Sequence, residues 1–322
     1  MTPPQFSVIM PLYNKGPHIA ESAASVLEQT LSPLELIIID DSSTDGGREI
    51  AAAIDDPRVR LLDRPVPGPG GYAARNLGIL EARGDWIAFL DADDLWSANH
   101  LELLSKAIAD APNAGAAATR FDHVFEDRRQ PQRIARRLEQ GGVLNFRQFL
   151  EAWLEVRECP LWTGAIAFRR DLLIEAGLFP EGRAVRGGDK DLWLRVMRLT
   201  RLTYVPVRSA EFSRESVNKV SNSTSTLAPP CLVETARALM REAPSDERKL
   251  LRRLINQEIS HYARYSMKGA GRINIPMGHV AMPEGIPTLA LLMAARWLPP
   301  SFRQAGHGFA RKLHMQRQIA AR

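Results

Sequence analysis

The chain has 322 residues, 45% of them hydrophobic and 25% charged, which is the balance of an ordinary folded protein and excludes a disordered or fibrous chain. Its formal charge of +5 is unevenly spread: residues 226–322 carry 15 Lys/Arg against 6 Asp/Glu, and residues 1–225 are left at −4. Two distant cysteines and seven scattered histidines offer neither a disulfide framework nor a zinc-like spacing, as expected for a chain kept in a reducing cytosol.

The first third alternates two periodicities. Phe6–Met10 (FSVIM), Leu36–Ile39 (LIII), Val59–Leu62 and Trp86–Leu90 are short apolar runs. Between them, Ile19, Ala23, Val26 and Leu27 share a helical face, Gly46–Ile54 forms a short helix, and Tyr72–Ala82 is helical by pattern. Leu101, Leu104 and Ile108 begin another helix. Continuous apolar strands separated by amphipathic helices predict an α/β fold: a mainly parallel, Rossmann-like sheet flanked by helices.

Beyond residue 114 the pattern loosens. Ala116–Thr119 and Val124–Phe125 read as strands, Arg128–Gln140 as a charged exposed stretch, Trp162–Phe168 as a strand and Leu192–Leu199 as a helix. Ser213–Thr226 is rich in Ser, Thr and Asn, and Pro229-Pro230 follows. The domain boundary is placed there: a catalytic domain over 1–225 and a basic, mostly helical region over 226–322. MTPPQFSVIM has no basic start and no long apolar core, so it does not read as a secretory signal. The longest apolar stretch, Ile286–Leu298, is broken by Arg296 and falls short of the ~20 residues of a spanning helix. Six basic and no acidic residues follow Glu284, and Leu289, Leu292, Met293 and Trp297 can share a helical face. An anionic membrane surface is the expected peripheral contact. No nucleic-acid motif accompanies these charges.

Parallel sheets bind ligands beyond the carboxyl ends of their strands. Those positions hold Pro11-Leu12-Tyr13-Asn14, Asp40-Asp41-Ser42-Ser43 and Asp91-Ala92-Asp93. Polar and acidic groups therefore gather on one sheet edge. Asp91 and Asp93, two apart at a strand exit, suit a hard cation such as Mg²⁺ or Mn²⁺ that also touches a phosphate; the competing role is an acidic turn capping the next helix. Arg75, in GPGGYAARNLG, could face a diphosphate. Residues 68–73 match a dinucleotide fingerprint only loosely, with Pro69 inside it and at the wrong strand, and no GxxxxGK[ST] loop is present.

These blocks together, SVIMPLYNKGPHIAESAASVLEQT, ELIIIDDSSTDGG, AARNLGILEARGDWIAFLDADD and WTGAIAFRRDLLIEAGLF, resemble the family 2 glycosyltransferases, which have the GT-A fold. The resemblance spans roughly residues 5–215. It implies that Pro11, Tyr13 and Asp40 hold the nucleotide base and ribose, that Arg75 lies near the nucleotide, and that Asp91 and Asp93 form the D-x-D motif meeting ribose and metal. It further implies that Trp162, Thr163 and Gly164 lie beneath the acceptor and that Asp189 is the base of an inverting enzyme. The cofactor would be Mn²⁺ or Mg²⁺, the donor a nucleotide sugar (most often of UDP), and the acceptor a saccharide or lipid-linked hydroxyl in bacterial envelope polysaccharide synthesis. The setting would be cytoplasmic, with peripheral contact at the inner face of the membrane. Two departures stand out: Gly188 precedes Asp189 where the family usually has Glu, and the Ser213–Thr226 stretch lacks the family's His-containing block. The rival readings are a sugar nucleotidyltransferase on a related fold, disfavoured by PLYNKG where a Gly-rich activation loop would stand, and a non-catalytic protein binding anionic polymers through its tail.

Overall fold

The computed structural model describes residues 3–184, 186–216, 226–227, 229–267 and 272–297. The chain divides into two compact units, 1–219 and 220–322. The boundary expected at 225/226 borders residues 217–225, which lie outside the described residues, as do most of the basic residues after Glu284.

The first unit is one curled sheet with helices on its faces. Its strands are β1 (Phe6–Leu12), β2 (Glu35–Asp40), β3 (Val59–Asp63), β4 (Trp86–Phe89), β5 (Leu95–Trp96), β6 (Ala114–Val124), β7 (Arg129–Pro131), β8 (Gly142–Leu144), β9 (Ile166–Arg169) and β10 (Arg201–Ser213). The main path runs β3-β2-β1-β4-β9-β6-β10-β5, with β7 on β6 and β8 on β10. The half formed by β3, β2, β1 and β4 is parallel throughout. β9 pairs antiparallel with both β4 and β6, and β6 and β10 restore one parallel pair. The sheet is therefore mixed, and its parallel half carries the strand ends singled out above.

The local chemistry explains this half. β2 is buried at every position, and β1 at all but Pro11, as their apolar runs require. β4 pairs β1 only as far as Ile9, so Pro11, on the same side of the strand, lacks no ladder partner for its missing N–H. Between the strands run α1 (Gly16–Leu27), α2 (Gly47–Ala52), α3 (Tyr72–Glu81) and α4 (His100–Asp110). α3 lies tightly on β1: a Cβ on Gly78 would stand 2.6 Å from Ile9 Cγ2. Helix propensity yields there to close packing.

Beyond residue 114 several expectations need correction. Residues 114–124 form one 11-residue strand, not two pieces. Arg128–Gln140 is not a uniformly exposed stretch: β7 and a 3₁₀ turn at Arg136–Leu138 lie in it, and Gln132, Ala135 and Leu138 are buried. Only Ile166–Arg169 of the WTGAIAF segment is strand, since Thr163–Ala165 is a 3₁₀ turn. Three more helices complete the unit: α5 (Phe146–Val156), α6 (Arg170–Glu175) and α7 (Gly188–Leu199). The residues at 201–213 are a 13-residue strand, β10, which the pattern did not suggest.

The second unit holds α8 (Leu232–Met240), α9 (Ser245–Met267) and α10 (Ile286–Trp297), with a short parallel pair between Thr226–Leu227 and Arg272–Ile273. The buried Asn256 amide bonds both the N–H and the C=O of Ala281, and Arg252 pairs with both oxygens of Glu284. Thr288, Leu292 and Ala295 form the packed face of α10. Leu292 thus turns inward rather than joining Met293 and Trp297. Ile286, Met293 and Trp297, which are exposed, follow one helical stripe. No described helix is long and apolar enough to cross a membrane.

Candidate active site

The carboxyl ends of β1, β2 and β4 are cross-linked into one rim. Asn14 adopts φ 51 after β1, its N–H donates to Ser43 Oγ at 3.1 Å, and its side-chain oxygen accepts the Thr44 N–H at 2.8 Å. Asp45 accepts the N–H groups of Gly16 at 2.7 Å and Gly47 at 3.0 Å, so one carboxylate serves the starts of α1 and α2. Pro11 is half-buried and Tyr13 is 46% exposed beside this rim.

Asp40 and Asp41 are both buried but differ in use. Asp40 accepts the Ser43 N–H at 3.2 and 3.3 Å and so braces its own turn. Asp41 pairs with Arg64 and accepts the Gly68 N–H at 3.0 Å, tying the chain after β3 across the sheet edge. The family resemblance singled out Asp40; the Asp41–Arg64 pair needed the tertiary fold to be seen.

The Asp91-Ala92-Asp93 turn is met by two cations. Arg75, on the first turn of α3, bonds Asp91 and donates to the Gly70 carbonyl at 3.0 Å, and its guanidinium lies 5.8 Å from the Phe179 ring centre. Burial opposes the charge on Arg75, but Asp91, with Tyr72 and Asp189 adding to the field, raises its pKa above the ordinary value. Lys15 Nζ bonds Asp93 at 2.7 Å and Ser216 Oγ at 3.2 Å, and the Ser216 hydroxyl bonds the same Asp93 oxygen. Neither Lys15 nor Ser216 stood out by motif. Asp94, the next residue, is buried: one oxygen accepts the Ser213 N–H at 2.8 Å and the other has no hydrogen-bond partner. Burial, then the charges of Asp93 and Asp91, pushes its pKa well above the usual carboxylate range.

These residues fit a divalent cation by the chemistry of their donors. Asp91 and Asp93 present hard carboxylate oxygens at one strand exit, each already compensated by a positive side chain. Among the described residues no group of three or more His, Cys, Asp or Glu could hold a metal ion. An ion held there would complete its shell with water and substrate phosphate oxygens, the usual habit of Mg²⁺.

Asp189 lies on the first turn of α7, behind a left-handed Gly187 (φ 74), and is half-buried. It contributes to the field at Arg75, so the α7 start and the D-x-D turn share one electrostatic neighbourhood. Asp191 is fully buried and takes both Arg195 Nε at 3.1 Å and Nη2 at 2.8 Å. Arg195 in turn donates to the carbonyls of Ala176 and Leu178, which makes Asp191 part of the α6–α7 scaffold. The Gly188 N–H donates to Tyr72 Oη at 2.8 Å, and a Cβ on Gly188 would stand 2.8 Å from Tyr72 Cζ and from Pro180 Cγ. A side chain at 188 has no room here because Tyr72 and Pro180 together fill the space.

Trp162, Thr163 and Gly164 sit where β9 begins. A Cβ on Gly164 would lie 2.3 Å from Trp162 Cη2 and 2.7 Å from Cζ2 and Cζ3, so the glycine is against the face of that ring. Trp162 also stacks on Phe212 at 4.9 Å and lies 4.7 Å from Phe121, and Phe212 lies 4.8 Å from the Arg214 guanidinium. Thr163 is buried, and the Gly164 carbonyl accepts Trp96 Nε1 at 2.6 Å.

The family model described as glycosyl transferase family 2 matches residues 7–176. The chain belongs to that family. Among curated relatives it is similar to WfgD of Escherichia coli, a UDP-Glc:alpha-D-GlcNAc-diphosphoundecaprenol beta-1,3-glucosyltransferase. The two are 43% identical over 97 residues, 30% of this chain and 38% of WfgD. It is also similar to the succinoglycan biosynthesis protein ExoO of Rhizobium meliloti, 41% identical over 128 residues, 39% of this chain and 36% of ExoO. In each case well under two thirds of the relative is spanned. Among solved structures, S. aureus TarS 1–349 in complex with UDP-GlcNAc superposes with a TM-score of 0.69 at 19% identity, covering 90% of this chain and 81% of that one. The family membership and this superposition together bear out the expected GT-A-type fold.

Proposed function

We propose that this chain is an inverting glycosyltransferase that moves a sugar from a UDP-sugar to a hydroxyl of a saccharide or lipid-linked acceptor. The observation that carries the reading is the convergence of Asp40, Arg75, Asp91 and Asp93 at the ends of parallel strands, with Asp189 close enough to contribute to the field at Arg75. Pro11, Tyr13 and Asp40 face the base and ribose in this reading. Asp91 and Asp93 would hold a divalent ion, which when bound would supply Lewis-acid neutralisation of the diphosphate. Arg75 bonds Asp91 and fixes its direction. Asp189, on the first turn of α7, accepts the proton of the attacking hydroxyl, a contribution of about 10²–10⁴-fold. One displacement inverts the anomeric centre, so an α-linked donor yields a β-glycoside. Trp162, Thr163 and Gly164 form the floor of the acceptor side.

Relatives that act in polysaccharide synthesis support a role in the bacterial envelope. The exposed Ile286, Met293 and Trp297 stripe, on the most basic part of the chain, supports docking on the inner face of the membrane, where a lipid-linked acceptor is found. The test incubates the full chain with UDP-glucose and UDP-GlcNAc, Mn²⁺ and lipid-linked or polysaccharide acceptors, and follows free UDP. Acceptor-dependent UDP release is expected. Pyrophosphate release would establish a nucleotidyltransferase instead, and neither product with any donor would leave the binding-only reading.

A further inference from the structure

The two D-x-D carboxylates are neutralised by side chains of different kinds. Arg75 is fixed: it is buried, bonded to the Gly70 carbonyl, and set over Phe179. Lys15 is a compact charge on a flexible stem at the start of α1, and its ammonium bonds Asp93 Oδ2 and Ser216 Oγ. The pair is not a surface ion pair, because the two side chains are only 12% and 14% exposed. The ammonium therefore replaces solvent around Asp93 and takes a cation's position on Oδ2. A divalent ion bound to that oxygen would stand within a few ångströms of Nζ, where like charges repel strongly in a partly dry site.

We propose that Lys15 is the placeholder cation of Asp93: it occupies the carboxylate while no divalent ion is bound, is displaced when one enters, and thereby sets the metal affinity of the site. This rests on the reading of Asp93 as a metal ligand. Ser216, which bonds both Lys15 and Asp93, keeps the carboxylate oriented during the exchange. Arg75 stays on Asp91 throughout, so only one of the two aspartates changes partner.

The test measures Mn²⁺ binding by electron paramagnetic resonance, on the full chain with a fixed excess of UDP. The variants are Lys15→Met, Lys15→Gln and Lys15→Arg, each also combined with Asp93→Asn, and thermal melting checks that each is folded. Lys15→Met and Lys15→Gln should bind Mn²⁺ about tenfold more tightly, the scale of one partly buried ion pair. Lys15→Arg should stay near the parent, and Asp93→Asn should remove binding in every background. Unchanged or weaker Mn²⁺ binding in both neutral variants, with Asp93→Asn still abolishing it, would overturn the placeholder role and leave the metal site standing. No UDP-dependent Mn²⁺ binding in the parent or any Lys15 variant would overturn both.

Discussion

The contact between Gly188 and Tyr72 makes a quantitative prediction. Gly188→Ala places a methyl 2.8 Å from Tyr72 Cζ, 2.9 Å from Cε2 and 2.8 Å from Pro180 Cγ. Carbon atoms in contact sit about 3.5–4.0 Å apart, so ring or helix must move by most of an ångström. Tyr72 is buried and stacked on Phe179 at 5.8 Å, which leaves the ring little freedom. Overpacking of this kind costs about 1–3 kcal/mol. Removing the ring by Tyr72→Ala costs about 3–5 kcal/mol alone, but the double variant should be more stable than the sum by about 1 kcal/mol, because the clash with the ring is then relieved and only that with Pro180 remains. The assay is urea denaturation followed by tryptophan fluorescence, since Trp193 lies on α7 itself. Gly188→Glu should behave as a more severe Gly188→Ala and be relieved by the same Tyr72→Ala change. A Gly188→Ala variant as stable as the parent, or strictly additive costs in the double variant, would refute the claim that Tyr72 excludes a side chain at 188.

Other expectations follow from the same geometry. Asp189→Asn should keep stability and UDP binding while lowering turnover by orders of magnitude, whereas Asp191→Asn should cost about 1–3 kcal/mol by loosening the Arg195 network; a dead Asp191→Asn enzyme of normal stability beside an active Asp189→Asn enzyme would reverse the assignment. His100 is fully buried, stacked on Trp96 at 4.3 Å and bonded to Ser209 Oγ at 2.9 Å, and burial lowers its pKa from 6.5 to about 3. The unfolded chain takes up that proton first, so stability is complete above pH about 6.5 and falls between there and about 3, by about 2 kcal/mol at pH 5. Denaturation of the parent and His100→Gln at pH 7.5 and 5 should show this part of the slope only in the parent. Vesicles of anionic lipid should capture the chain at low salt, and Trp297→Ala should weaken capture; equal capture by both would remove the α10 stripe from the membrane reading.

The parallel half of the sheet was legible because β1, β2 and β4 are covered on both faces and so are nearly continuously apolar: FSVIM, LIII and WIAFL need no partner to be recognised. The other half shows its strands only in pieces. β6 reads AGAAATRFDHV, where an alanine run gives little β signal and Arg120 and Asp122 interrupt it. Those polar groups are satisfied only across the fold, Arg120 by the Gln132 carbonyl and Asp122 by Arg208 of β10. β10 contains Pro206, and its pairing with β6 shifts register on either side of Arg208, so no clean alternation survives. α5 did carry a readable signal, the Asn145–Gln148 capping box, ahead of a strongly amphipathic run.

The candidate site divides in the same way. Asp91 and Asp93 are two residues apart and visible as a motif, but the charges that answer them come from 16 and 78 residues away in the chain. A carboxylate pair can therefore be read from sequence, while its state of neutralisation cannot. That state decides the chemistry: a bare pair would bind a cation as soon as one is present, but this pair must give one up first. The departure at Gly188 obeys the same logic. Taken alone it looks like a lost acidic group, yet Tyr72, 116 residues earlier, occupies the volume and receives the backbone N–H. The glycine at 188 and the tyrosine at 72 are one structural feature, and Tyr72, with Pro180, must give way before a longer side chain can stand beside Asp189.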